Sequence, residues 1–138
     1  MSRKSLEGQM TENHLSHQII GAAIEVHREL GGPGLLECVY EEALAFELKR
    51  AGFDVQRQKP VPVVYKGFEI RSPLCLDLLV ENKVVIEVKA VEKFNPLYAS
   101  QLLTYLRLGS YRLGLVANFG ATYLKDGIHR VVNRCPEN

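Results

Sequence analysis

Two apolar runs, Leu74–Val80 and Val84–Val91, are separated by the polar triplet Glu81-Asn82-Lys83, and this spacing admits few structures. Short runs rich in Val, Leu and Ile that stop at polar residues read as strands, and two in succession read as a hairpin. With Glu81-Asn82-Lys83 as the loop, antiparallel pairing sets Val80 opposite Val84, Leu79 opposite Val85, Leu78 opposite Ile86 and Asp77 opposite Glu87. Strands this apolar cannot face water on either side, so a sheet covered by helices is the expected packing. Like charges opposed across a sheet destabilise it, so Asp77 and Glu87 call for a compensating cation. Lys89, two residues beyond Glu87 on the same strand face, supplies one positive charge, and a metal ion would supply the rest.

Glu-x-Lys alone carries little information, because chance produces it in a chain of this size. It occurs three times: Glu47-Leu48-Lys49 in a helical pattern, Glu81-Asn82-Lys83 in a turn, and Glu87-Val88-Lys89 in a strand. Only the last presents both side chains from one strand face. Buried charges there cost several kcal/mol each unless paired or metal-bound. A purely structural ion pair is the alternative to a functional centre.

The remaining pattern surrounds this hairpin with helices and further strands. Ile19, Ala23, Val26 and Leu30 recur at helical spacing between Leu15 and Leu30, and Gly31-Gly32-Pro33-Gly34 ends that helix. A second helix is expected from Leu35 to Ala51, with Gly34 as its N-cap, Glu37 at its third position and Gly52 as its stop signal. Asp54–Tyr65, interrupted by Pro60 and Pro62, reads as an edge strand, followed by a Lys66-Gly67 turn into Phe68–Ile70. Arg71-Ser72-Pro73 predicts a kink. Asn95-Pro96 opens a helix to about Leu108, and strands are expected at Leu113–Asn118 and Ile128–Val132. The expected class is α/β, a mixed central sheet flanked by helices. Residues 1–13 form a polar amino-terminal segment and 14–138 a single domain.

Charge and cysteine content narrow the setting. The chain has 17 Lys+Arg and 16 Asp+Glu, so any nucleic-acid contact must come from local clustering rather than bulk attraction. Cys38, Cys75 and Cys135 show no paired spacing, which argues against a disulfide framework or zinc site and fits a reducing cytoplasm. Met1–Asn13 lacks an apolar signal segment and no run approaches a membrane span, so a soluble cytoplasmic protein is expected. His14 and His17 lack a third ligand at metal spacing, and Cys38 lacks a His partner, so neither makes a catalytic centre. Gly31-Gly32-Pro33-Gly34 lacks the Lys-Ser/Thr of a phosphate loop and reads as a connector.

Gly34-Leu35-Leu36-Glu37-Cys38-Val39-Tyr40 carries the pattern that names the GxxExxY family. Asp77 with Glu87-Val88-Lys89 resembles the D…ExK core of the PD-(D/E)XK nuclease superfamily, to which that family is assigned. The resemblance runs from Ile19 through Asn118-Phe119-Gly120. One departure is the doubled glycine before Pro33; another is the apolar Pro73-Leu74-Cys75-Leu76 preceding Asp77.

The resemblance implies a restriction-endonuclease-like core and divalent-metal-dependent hydrolysis of phosphodiester bonds in DNA or RNA. Asp77 and Glu87 would hold Mg2+ or Mn2+, with the Val88 carbonyl as a further ligand. Lys89 would orient the attacking water and stabilise negative charge. Glu37, which the helical pattern alone makes an end-of-helix residue, becomes an added metal carboxylate, with Tyr40 beside it at the substrate. Gln101 and Tyr105, four apart on one helix face, resemble a Q-x-x-x-Y element that helps hold substrate. Lys93, Tyr98, Arg107 and Arg112 offer basic and aromatic groups to a phosphate backbone, and Lys125, Arg130 and Arg134 do so more weakly. Glu41 and Glu42 are expected on the solvated surface, and Glu25 and His27 have no assigned role. The competing reading is a nuclease-fold module that binds nucleic acid or a protein partner without useful turnover. A homodimer with two sites would reconcile the small size with activity.

Overall fold

The computed structural model describes residues 10–71 and 74–134. Helix α1 (Glu12–Glu29) begins where Thr11 accepts a hydrogen bond from the His14 amide at 3.1 Å, satisfying a donor that the first turn leaves open. Its stripe Leu15, Ile19, Ala23 and Val26 is buried. Gly31 and Gly32, at φ +86° and +88°, end it in a conformation that favours glycine. Helix α2 (Glu37–Arg50) buries Tyr40, Glu41, Leu44, Ala45 and Leu48. It starts later than the pattern suggests: Leu36 is the N-cap, so Glu37 occupies the first helical position rather than the third.

The strands are β1 (Val55–Pro60), β2 (Val63–Tyr65), β3 (Phe68–Ile70), β4 (Cys75–Val80), β5 (Val84–Lys89), β6 (Leu113–Asn118) and β7 (Ile128–Val132). Helix α3 (Leu97–Gly109) joins β5 to β6, and a short 3-10 turn precedes β7. Among the described residues, five strands form one sheet in the order β1-β4-β5-β6-β7, and β2 and β3 form a separate hairpin. The β5–β6 pair is parallel and the other pairs are antiparallel, as expected when a helix supplies the crossover. The single edge strand expected over Asp54–Tyr65 is broken into β1 and β2, with the buried Val61 between them. β1 does lie at the edge, where Pro60 costs no interior ladder bond. Lys66 and Gly67 both have positive φ, as a two-residue hairpin turn requires. Of the expected kink at Arg71-Ser72-Pro73, Ser72 and Pro73 lie outside the described residues, as do most of the polar amino-terminal segment and Cys135.

One face of the sheet packs on α1 and α2 through Leu78, Val80, Val84, Ile86 and Val88. The other packs on α3 through Leu76, Leu79, Val85 and Val116. Fully burying each such side chain contributes roughly 1.5–3 kcal/mol relative to exposure. Among the described residues, no helix is long and apolar enough to cross a membrane.

Candidate active site

The β4–β5 hairpin has the expected register, with Val80 opposite Val84, Leu79 opposite Val85 and Leu78 opposite Ile86. The ladder stops there, one position before Asp77 and Glu87. In place of regular bridging, each strand's carboxylate takes an amide from the other. The Val88 N–H donates to Asp77 Oδ2 at 2.8 Å, and the Asp77 N–H donates to Glu87 Oε1 at 3.3 Å. Side-chain oxygens thus satisfy backbone donors where the two strands part, which keeps the opening from leaving buried amides unpaired.

β1 is irregular at the same level. Its pairing with β4 runs through Arg57 opposite Leu78 and resumes at Lys59 opposite Leu76, omitting Gln58 and Asp77. Gln58 has φ +51°, a left-handed conformation that breaks the alternation of strand side chains. As a result, the consecutive residues Arg57 and Gln58 both reach Glu41 on α2. The Arg57 guanidinium donates to Glu41 Oε2 at 3.2 and 3.3 Å, and the Gln58 amide donates to the same carboxylate at 3.1 and 3.2 Å. Gln58 also donates to Asp77 Oδ1 at 3.3 Å. One amide group therefore links a helix carboxylate to a strand carboxylate. β4 shows the same disturbance, since Leu76 and Leu79 pack on the α3 side although two residues separate them.

Glu87 is 8% exposed, and its carboxyl pKa is pushed up to about 8. Burial is the principal cause, followed by the charge of Asp77; Lys89 opposes both weakly. The half-buried Lys89 lies with Nζ 4.7 Å from the centroid of the Tyr98 ring on α3, a cation–π contact. Tyr98, Gln101 and Tyr105 share one flank of α3, so Gln101 and Tyr105 occupy the next turns beyond Tyr98. Gln101 is exposed, and Tyr105 is half-buried against the α3-side core.

The strand end that carries Lys89 is tied down by Asn118. The Phe119 N–H donates to the Lys89 carbonyl at 2.7 Å. Beyond it, Asn118 Oδ1 accepts from the amides of Val91 and Gly120, and Asn118 Nδ2 donates to the Val91 carbonyl, all at 3.0 Å. The side-chain amide extends the β5–β6 ladder past its last residue. Gly120 is required here, because a Cβ would lie 2.2 Å from the Val91 carbonyl oxygen.

Two expected site residues fall elsewhere. Tyr40, expected at the substrate, is fully buried: its ring stacks on Phe119 at 4.7 Å, and its hydroxyl donates to the Gly32 carbonyl at 2.7 Å while accepting the Leu35 amide at 3.2 Å. It fastens the glycine-rich connector to the core and has no surface for substrate. Glu37, expected in the metal shell, is exposed at the start of α2. Among the described residues, no group of three or more His, Cys, Asp or Glu is placed to hold a metal ion, so Glu37 does not join Asp77 and Glu87. The helix carboxylate that does connect to them is Glu41, which is 7% exposed rather than solvated. Its position was detectable, because residues 41, 44, 45 and 48 form one buried stripe. Gln58 had no such signal. Glu25 pairs with Arg28 at 2.5 Å on the surface, and the buried His27 meets the Ala121 carbonyl at 3.0 Å through Nε2.

A mixed, helix-covered sheet with an Asp on one strand facing a Glu-x-Lys on the next is the framework of restriction-endonuclease-like nucleases. The family model of the PD-(D/E)XK nuclease superfamily matches residues 13–131, and the chain belongs to that superfamily. Comparison with curated proteins and with solved structures gives no significant match.

Proposed function

We propose that this protein hydrolyses phosphodiester bonds in DNA or RNA with Mg2+ or Mn2+. The observation that carries the reading is the exchange of amides between Asp77 and Glu87 where β4 and β5 separate, with Lys89 on the same strand as Glu87. Two adjacent carboxyl groups, one with its pKa pushed up by burial and by the other's charge, form an oxygen donor pair whose repulsion a hard divalent cation would relieve, displacing the proton. Asp77, Glu87 and the Val88 carbonyl would hold the ion, which when bound supplies Lewis acidity toward the phosphoryl oxygens. Glu41 and Gln58 fix Asp77 Oδ1 from the α2 side and so set the carboxylate's orientation. Lys89 orients the attacking water and stabilises developing negative charge, its ammonium resting on Tyr98 until a phosphate competes for it. Gln101, on the following turn, contacts the substrate strand. The Gly34-to-Tyr40 segment supports placement among the GxxExxY proteins, and the free thiols of Cys38 and Cys75 suit a reducing cytoplasm.

Purified protein should nick or degrade nucleic acid with Mg2+ or Mn2+, and lose that activity in chelator and in Asp77→Ala or Lys89→Ala. If wild type and Asp77→Ala were equally inactive on single- and double-stranded DNA and RNA while both stayed folded, a non-catalytic binding module would replace this reading.

A further inference from the structure

From Lys93 to Lys125 the chain contains no Asp or Glu, although acidic and basic residues nearly balance overall. This stretch includes α3 and β6. By contrast α2 alone carries Glu37, Glu41, Glu42 and Glu47. The covering of the sheet is therefore polarised, with acid concentrated in the α1/α2 layer and absent from α3. Glu87 and Lys89 share their strand face with Val85, which packs in the α3 layer.

Within the acid-free layer, a cleft of about 640 Å³ opens at the carboxyl-terminal end of α3. Arg107, Arg112 and Arg134 line it together with Ser110, Tyr111 and Asn133, and among the described residues no carboxylate does. Among the described residues none of the three guanidiniums forms an ion pair. They come from three elements: the last turn of α3, the residue before β6 and the segment after β7. Their backbones are pinned together, since Asn133 donates through its amide N–H to the Arg112 carbonyl at 2.8 Å and through Nδ2 to the Tyr111 carbonyl at 2.9 Å. One arginine in a last helical turn is explained by the helix dipole. Three on separate elements lining one cleft, with no counter-charge among the described residues, make an electropositive site suited to an anion.

We infer that this cleft binds the phosphate backbone of the nucleic acid several nucleotides from the cut. The assignment rests on the nuclease reading of the Asp77–Glu87 centre. Guanidinium forks match phosphate oxygens in bidentate geometry, and three of them suit a repeating anion. Arg107 lies nine residues along α3 from Tyr98, where the Lys89 ammonium rests, or roughly 14 Å at the helical rise. At one phosphate per roughly 3.4 Å of strand, the cleft meets the backbone roughly four nucleotides from the centre. The strand crosses the exposed back of α3, where Ser100 and Thr104 are uncharged.

Binding of fluorescently labelled 20-nucleotide single strands and duplexes, measured by anisotropy in chelator so that nothing is cut, tests this. Arg107→Glu with Arg112→Glu should weaken affinity at least tenfold and lower the salt dependence by about one to two counterions, about one for each phosphate that is no longer neutralised. Lys49→Glu with Arg50→Glu, at the end of α2, should stay within twofold of wild type. If the charge-reversed protein misfolds by circular dichroism, Arg107→Gln with Arg134→Gln should still weaken binding about threefold or more. Equal binding by wild type and the folded arginine variants overturns the inference and leaves the catalytic reading standing. So does equal weakening by the Lys49 and Arg50 changes, or arginine-dependent binding of inorganic phosphate with unchanged oligonucleotide binding. Arginine-dependent binding in chelator, with no cutting of the same strands once Mg2+ or Mn2+ is supplied, sinks the catalytic reading alone. A wild type that binds neither strand form overturns the cleft outright.

Discussion

On the α1/α2 side, β5 presents Val84, Ile86 and Val88, all fully buried; on the α3 side the same strand presents Val85, Glu87 and Lys89. The first layer closes over the whole strand. The second covers its beginning and leaves its end for charged groups. A single strand thus anchors the core with one set of alternate residues and carries the charged groups of the proposed centre with the other. Strand periodicity makes this division possible, since neighbours one residue apart answer to different surroundings.

This contrast can be broken by substitution. Asp77→Ala should lower nuclease turnover by about 10³-fold or more, equal to about 4 kcal/mol of activation free energy, and cost about 1–3 kcal/mol of folding stability, because the Val88 amide loses its acceptor. Single-turnover cutting and a melting curve separate the two; that loss of stability with unchanged turnover would make Asp77 a structural residue. Ile86→Ala, on the opposite face one residue from Glu87, should cost about 2–5 kcal/mol of folding stability by urea titration. A cost below about 1 kcal/mol would mean that the α1/α2 layer collapses into the space.

Glu87→Gln should act with the reverse sign. Because the folded-state pKa of Glu87 is raised from 4.5 to about 8, the folded protein holds the proton more tightly than the unfolded chain. Its favourable contribution is complete below about pH 4.5 and is lost as pH rises toward 8. In chelator, wild type should therefore lose stability across that window, and Glu87→Gln should exceed it by roughly 4 kcal/mol at pH 8. Melting temperatures at pH 5, 7 and 8.5 decide this, and parallel curves for the two proteins would refute it. Gln58→Ala should have the smallest effect, lowering turnover about tenfold with under about 1 kcal/mol of stability lost. Unchanged turnover would show that Glu41 does not act through Gln58 on Asp77.

The hairpin register is legible in the sequence because the polar triplet Glu81-Asn82-Lys83 sets the loop length, and loop length decides which residues of the two strands lie opposite each other. The pair Asp77 and Glu87 follows from that register alone. Tyr40 is not legible in this way, because a motif reports that a tyrosine is needed and not whether it serves packing or substrate. Its burial depends on Phe119, far along the chain. Glu37 and Glu41 are told apart only by the helix start: capped at Leu36, α2 leaves Glu37 exposed in its first turn and turns Glu41 inward to Arg57 and Gln58. The left-handed backbone at Gln58 has no local cause in Arg57-Gln58-Lys59. It is imposed by the neighbouring strand and by Glu41, which come together only after folding.

The clamp of Asn118 and Gly120 on the end of β5 has a kinetic meaning. With the Lys89 carbonyl held by the Phe119 amide and Val91 gripped on both its polar groups, the peptide from which the lysine springs has nowhere to shift. Reorganisation on meeting a phosphate is confined to rotations within one flexible side chain, which exchange on the picosecond-to-nanosecond scale, far faster than a loop would close. On the proposed reading, delivery of the ammonium to a phosphate would therefore not limit turnover.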